Sequence, residues 1–449
     1  MNIHLHSHFL KWAFLIIIFV NISALGAEWV DTHNEPDNNL YSLHFIDDSI
    51  GWAIGEVGTI LKSIDGGESW LSQSSGTEEN LFSVCFADSN IGVAVGNNGT
   101  LVNTLDGGLN WNLHDQLGQE LTFIEDVHFI NSNVGWSVGN SIYDDDGEIL
   151  QPLLWKTENS GVDWQEVYVS NEDIFLRNCH FVDENIGWLA GSRLTEPNTE
   201  NYSGIILKTE NGGDTWSNVE CDSTISDFSE LHFIDENMGW MIGNRYNGYS
   251  YEQFIYKTVN GGENWTQLSL PESSTILTFH FVDQSRGIFT GSGSIWYTSD
   301  GGVTWSEEFY GSSYGLWSVQ LSQSGSAWVV GWYTASMNER NGAVLVRYEN
   351  TSTEDSRLTY IPANSELVQN FPNPFNPSTH IKFVVAEASH VSLEIFDLLG
   401  RPISRLIDEK MSTGSYEAQF ESGDLSSGIY FYRIQMGDYI STRKMVISK

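Results

Sequence analysis

The chain has 449 residues, 42 of them glycine, with 13% aromatics and a formal net charge of −39. Only 20 Lys and Arg stand against 59 Asp and Glu, which argues against nucleic acid or an anionic lipid surface as partner. High glycine and aromatic content without a long amphipathic helical period suits many short strands joined by turns, and the length suits two or three domains.

Residues 1–26 read as a secretory signal peptide: Lys11 is the positive flank, Trp12 to Val20 the apolar run, and Ala24-Leu25-Gly26 the small-residue cleavage site. That run is short for an anchor, and no other segment approaches spanning length, so no transmembrane anchor is expected after its removal.

A four-part unit then recurs. Its parts are Leu43-His44-Phe45-Ile46-Asp47, Gly51-Trp52-Ala53-Ile54-Gly55, Thr59-Ile60-Leu61-Lys62-Ser63 and the octapeptide Ser63-Ile64-Asp65-Gly66-Gly67-Glu68-Ser69-Trp70. The octapeptide returns with Asp106, Asn159, Asn211, Asn260 and Asp300 at its third position and Trp111, Trp164, Trp216, Trp265 and Trp305 at its end. Successive separations of 41, 53, 52, 49 and 40 residues signal a repeat array. The spacing predicts a tight turn: the Asp or Asn accepts from backbone N–H groups two residues on, the hydroxyl adds a second bond, and the glycines supply positive φ. The Trp opens the next strand as an apolar anchor. Three of the six acid positions are Asn, which cannot act as general acid or base, so the pattern points to turn chemistry rather than catalysis.

These motifs resemble the Asp-box of BNR-repeat β-propellers, and the layout LHFID, GWAIG, box is similar to the propellers of photosystem II assembly and stability factors. The resemblance covers about residues 28–350 and implies radial four-stranded blades. Trp29 precedes Phe45 by 16 residues, as Trp70 precedes Phe86, so the mature chain starts at the strand that normally follows a box. The last unit, from Trp317 through Ala327 to Arg347, has three strands and no box. The expectation is a seven-bladed ring whose final blade is completed by the amino-terminal strand, which leaves no long exposed edge.

The loops between second and third strands carry insertions in four blades: 140–152, 192–204, 244–253 and 333–342. Insertions collect on the binding face of repeat proteins, and Tyr-rich loops suit recognition. The candidates there are Tyr143, Asp144, Asp146, Arg193, Tyr202, Arg245, Tyr246, Tyr249, Tyr251, Tyr333 and Arg340. The Asp144-Asp145-Asp146-Gly147-Glu148 run lacks the register of an EF-hand calcium loop. His44, His128, His180, His232 and His280 recur at one strand position, one per blade; they are expected to lie too far apart to share a metal and to pack between blades. Cys85, Cys179 and Cys221 form no Cys-x-x-Cys pair and read as small buried hydrophobes without a disulfide. No cofactor or metal is expected.

Residues 351–369 are a polar linker. Strand-like runs follow at 381–385, 391–397, 415–420, 429–435 and 444–447, as in a small Ig-like β-sandwich. Asn370-Phe371-Pro372-Asn373-Pro374-Phe375-Asn376-Pro377, Ile395-Phe396-Asp397-Leu398-Leu399-Gly400-Arg401 and Leu425 to Arg433 closely resemble the type A C-terminal sorting domain of the type IX secretion system. The division is thus 1–26 signal peptide, 27–350 propeller, 351–369 linker and 370–449 sorting domain. The resemblance implies passage through the outer membrane, with the secretion machinery as partner and the cell surface or medium as destination.

A sialidase-type site needs three converging arginines; the propeller's arginines are few, and no Arg-Ile-Pro segment precedes the first blade, where that family carries it. No Gly-x-Ser-x-Gly, His-Glu-x-x-His or phosphate loop occurs. The reading is an all-β, secreted or surface-bound, noncatalytic binding or scaffold propeller whose ligand is a protein or glycan. An extracellular glycoside hydrolase or glycan-binding propeller is the alternative, and an assembly-factor-like chaperone is a further one by fold resemblance only.

Overall fold

The computed structural model describes residues 29–32, 38–114, 117, 122–141, 151–167, 169, 173–195, 202–246, 250–271, 275–336, 339–347, 365–367, 370, 373–385, 388–398, 400–411, 414–423, 425–437 and 439–448. The signal-peptide expectation falls outside them, as do Tyr143, Asp144, Asp146 and Tyr249; of Arg340 only the backbone is described.

Seven antiparallel four-stranded sheets follow one another. Blade 1 consists of Leu40–Phe45, Gly51–Gly55, Ile60–Ser63 and Leu71–Gln73. Blades 2 to 6 repeat this order along the chain. Blade 7 is built from Tyr314–Leu321, Ala327–Ser336 and Glu339–Arg347, and its fourth strand is Trp29–Asp31. Trp29 lies opposite Arg347, Val30 opposite Val346 and Asp31 opposite Leu345, so the expected ring of seven holds. The first four residues of every second strand are buried, which is why these stretches read as small and apolar runs such as Gly-Trp-Ala-Ile-Gly. The outer strands are two to five residues long and leave little edge to template aggregation.

Blades grip one another through stacked rings. Trp52 lies on Phe86 of the next blade at 3.4 Å between centroids, and Trp136–Phe181, Trp188–Phe233 and Trp240–Phe281 repeat this. Trp328 closes the circle on Phe45 at 4.0 Å, and its Nε1 donates to the Gly66 carbonyl. The third-strand lysines Lys62, Lys156, Lys208 and Lys257 cover the faces of Trp52, Trp136, Trp188 and Trp240. They are all the lysines between residues 28 and 357.

In the Asp-box, Ser63 Oγ donates to Asp65 at 2.8 Å and accepts the Gly67 N–H at 2.8 Å. Asp65 accepts from the backbone N–H and hydroxyl of Ser69. The acceptor therefore reaches four residues on, not two as the spacing predicted. Gly66 and Gly67, with φ of 72° and 89°, curl the chain back so that Ser69 rather than Gly67 meets the carboxylate.

The histidines form part of a belt around the axis. His44 accepts the Phe86 N–H; His128, His180 and His232 donate from Nε2 to the carbonyls of Phe181, Phe233 and Phe281; His280 accepts the Leu321 N–H. Cys85 takes the Phe129 N–H in blade 2, and Gln320 holds both the N–H and C=O of Phe45 in blade 7. Each blade thus holds the backbone of the next, and the seventh holds the first. The expectation that these rings stand far apart is corrected: successive centroids of His128, His180, His232 and His280 are 4.4, 4.9 and 4.8 Å apart, because first strands converge on the axis. They pack between blades, and no cluster of three metal-binding groups occurs among the described residues. Cys85, Cys179 and Cys221 are free thiols.

The carboxy-terminal region has a three-stranded sheet (Glu366–Leu367, Ser378–Val385, Gly414–Glu421) and a four-stranded one (Pro402–Met411, Ser389–Phe396, Gly428–Met436, Tyr439–Ile447). Both contribute to one core that includes Ile381, Phe383, Leu393, Phe420, Tyr432 and Met445. The Asn-Pro-Phe-Asn-Pro segment pins the last strand: Phe375 N–H donates to the Val446 carbonyl, and Asn373 accepts the Val446 N–H.

Candidate functional site

The first strand of a blade is not a regular alternation. In six blades a β-bulge leaves one residue unpaired near its start, between Leu40 and Ser42 in blade 1 and between Leu316 and Ser318 in blade 7. Bulges re-aim a side chain, and in blades 1, 2, 3 and 7 the re-aimed residue lines one depression at the mouth of the ring. A glycine in the second strand makes room for the bulge: a Cβ on Gly55 would stand 2.0 Å from the Asn39 carbonyl, and one on Gly331 would stand 1.9 Å from that of Gly315.

The bulge positions are Tyr41, Phe82, Glu125, Arg177, Ser229 and Trp317, and Leu277 holds the matching place in blade 6. Tyr41, Phe82, Glu125, Leu277 and Trp317 line an open depression of about 520 Å³. Tyr41 and Trp317 stack at 4.8 Å with 14° between planes, and Phe82 lies 5.8 Å from Tyr41. The Tyr41 hydroxyl donates to Glu56, which also accepts from the backbone and side chain of Asn39, so the stack is held from behind. Trp317 and Leu277 remain 41% and 39% exposed. Arg177 donates from Nε to both oxygens of Asp227, and its guanidinium lies over Phe175 at 4.5 Å.

One layer deeper, Asp126 accepts from Ser83, Asn178 and the Cys179 N–H, while Glu230 accepts from Thr278 and the Phe279 N–H. Burial pushes Asp126 up to about 6 and Glu230 up to about 8, partly offset by these hydrogen bonds. Their oxygens are engaged with the neighbouring blade, so the shifts belong to ring closure rather than to a free acid or base.

The mouth opens on the face that carries the insertions, since Leu40 pairs with Gly55, where the loop between second and third strands begins. Of the loop candidates, Tyr246 and Tyr251 face each other across one hairpin at 5.2 Å and are 54% and 65% exposed. Arg245 is held by Thr224 and Asp222 and lies over Phe254. Arg193 donates to Asn218, and Tyr202 lies 40% exposed at the next rung of the blade 4 hairpin. Tyr333 packs on Tyr314 in blade 7. These groups are dispersed over separate hairpins and are not among the residues lining the depression. The sequence reading missed the mouth residues themselves. Their signal is a constant offset, four residues before the Phe or Leu that ends the first strand, as Tyr41 precedes Phe45 and Trp317 precedes Leu321.

Residues 369–448 match the family model of the secretion system C-terminal sorting domain, and residues 69–172 match that of the photosynthesis system II assembly factor YCF48. Similar solved structures include YCF48 bound to a D1 peptide, at 18% identity and a TM-score of 0.53, covering 73% of this chain and 98% of that one. YCF48 from Cyanidioschyzon merolae matches at 18% identity and a TM-score of 0.51, covering 72% and 99%. The WD40 β-propeller domain of Doa1 matches at 14% and 0.51, covering 73% and 99%. At these identities the likeness shows the propeller fold alone. No curated protein sequence matches significantly. The sorting domain implies handling by the type IX machinery and export to the cell surface or medium; no described helix is long and apolar enough to cross a membrane.

Proposed function

We propose that this exported chain is a noncatalytic binding propeller that takes a protein or glycan ligand at the mouth of its axial channel. The observation that supports this most is the set of bulges in six blades, which turns one side chain of each out of the regular alternation and, with Leu277 of blade 6, brings Tyr41, Phe82, Glu125 and Trp317 to one depression. Such exposure of rings and a carboxylate in a concave site is the usual composition of a recognition surface. The hairpins bearing Arg193, Tyr202, Arg245, Tyr246, Tyr251 and Tyr333 flank the same face and offer secondary contacts. One similar propeller holds a D1 peptide, a precedent for peptide capture by this architecture. No photosystem role is carried over, because the sorting tail directs the chain outward.

The test is binding of the full chain to peptide and glycan arrays, beside the Tyr41→Ala and Trp317→Ala variants. Saturable binding to one class that drops about tenfold in either variant supports the reading. Binding indifferent to both variants rejects the mouth. Release of sugar from a polysaccharide, abolished by changing one carboxylate of the loop face, rejects the noncatalytic part.

A further inference from the structure

The mouth is acidic as well as aromatic, and its one acid without a hydrogen-bonding partner among the described residues is Glu125. Glu56 is committed to Asn39 and Tyr41, and Asp227 to Arg177. Asp126 and Glu230 are committed to the next blade. Glu125 lines the depression, feels Arg177 through space and stands in the field of Asp126 and Asp227. Arg177 is already spent on Asp227 and Phe175. The lysines of residues 28–357 are spent on tryptophan faces. Among the described residues, Arg177 acts on Glu125 only through space and no cation forms an ion pair with it, which leaves room for a counter-charge from a ligand. The wider field points the same way, because residues 28–357 hold 11 Lys and Arg against 49 Asp and Glu.

Resting on the reading of the mouth as the ligand site, we infer that its ligand is a basic protein segment. One lysine or arginine side chain of that segment enters the depression, where Glu125 meets its charge while Phe82 and the Tyr41–Trp317 pair cover its apolar stem. Long cationic side chains suit such a site because their methylene stems pack on rings while the head keeps its charge partner. A neutral sugar gains nothing from the acidic field. A cation does, and it restores a charged Glu125. Burial, assisted by Asp126 and Asp227 and opposed by Arg177, holds the Glu125 carboxyl above the usual carboxylate range. Affinity therefore weakens as pH falls and Glu125 becomes neutral ahead of ordinary surface carboxylates.

The experiment is calorimetric titration of the full chain with acetyl-tetralysine amide at low and physiological salt. The expected result is one site per chain, weakened about tenfold in Glu125→Gln and in Trp317→Ala. Glu263→Gln, an exposed acid in an Asp-box on the opposite face, should leave it unchanged. Glu125→Gln keeps shape and volume, so its result does not hinge on folding. Equal binding by wild type and Glu125→Gln overturns the proposal. A parallel titration with xyloglucan oligosaccharide separates the two readings. Sugar binding that is lost in Trp317→Ala but indifferent to Glu125→Gln keeps the mouth and overturns the cation, whereas no Trp317 dependence for either probe overturns both.

Discussion

Ser63 and Asp65 stand two residues apart, and together they fix a corner that the rest of a blade depends on. The hydroxyl both donates to the carboxylate and accepts the buried Gly67 N–H. Ser63→Ala removes the acceptor and leaves that N–H unsatisfied, so the expected loss is about 1–3 kcal/mol by urea unfolding, with Ser63→Thr near wild type. Equal stability of Ser63→Ala and wild type would show that the corner needs only its glycines. This corner was legible in the sequence because all its members lie within eight residues. The donor was misjudged because a side-chain bond two residues on assumes a simple Asx turn. That pattern does occur, but in the neighbouring turn, where Asp47 accepts from the Ser49 and Ile50 N–H groups. The mouth residues were missed because a bulge breaks the period of two at Tyr41 and Trp317, so alternation assigns them to neither face and only their constant offset from the strand end marks them.

At the level of the element, the strand Trp29–Asp31 is short yet decides closure. Deleting residues 28–33 uncovers the edge of Glu339–Arg347 along its paired stretch. The expected outcome is a lower Tm and concentration-dependent association through the freed edge, read by calorimetry and light scattering. An unchanged Tm would mean the aromatic contacts close the ring alone. Those contacts are substantial: Trp328→Ala removes a fully buried ring that stacks on Phe45 and bonds to Gly66, at an expected cost of about 3–5 kcal/mol. This closure was readable from the Trp-to-Phe interval and the missing final box. By contrast, Pro402–Met411 in the tail escaped notice. It is an edge strand whose residues are mostly exposed, so it carries no apolar period to detect, and its proline stands where no ladder donor is required.

For the whole molecule, two belts of side chains around the axis make stability depend on pH with a definite sign. Burial holds His44, His128 and His232 down to about 4, and it holds His180 and His280 well below the ordinary value. The unfolded chain takes up these protons near pH 6.5 and the folded one does not, so stability falls as pH drops from about 6.5 to about 4. Asp126 and Glu230, held up to about 6 and about 8, work in the opposite direction, since the folded state binds their protons first. Five histidines oppose these two and the raised carboxyls of Glu125 and Glu68, and the net expectation is a Tm that declines between pH 6.5 and 4.5. A flat or rising Tm over that range would show that the belt does not titrate as a neutral set. The chain's excess of acids adds a salt effect: mutual repulsion is screened as ionic strength rises, so Tm should climb from low to physiological salt at neutral pH.

Trp29 and Arg347 are paired neighbours, and the chain enters and leaves the ring at the same end of the same sheet. Every other blade spans that gap with a covalent Asp-box corner. The ring is therefore indifferent to where its backbone is interrupted: a circular permutant that joins 347 to 29 through a Thr-x-Asp-Gly-Gly-x-Thr corner, with new termini opened between the paired Tyr246 and Tyr251, should fold to the same seven sheets.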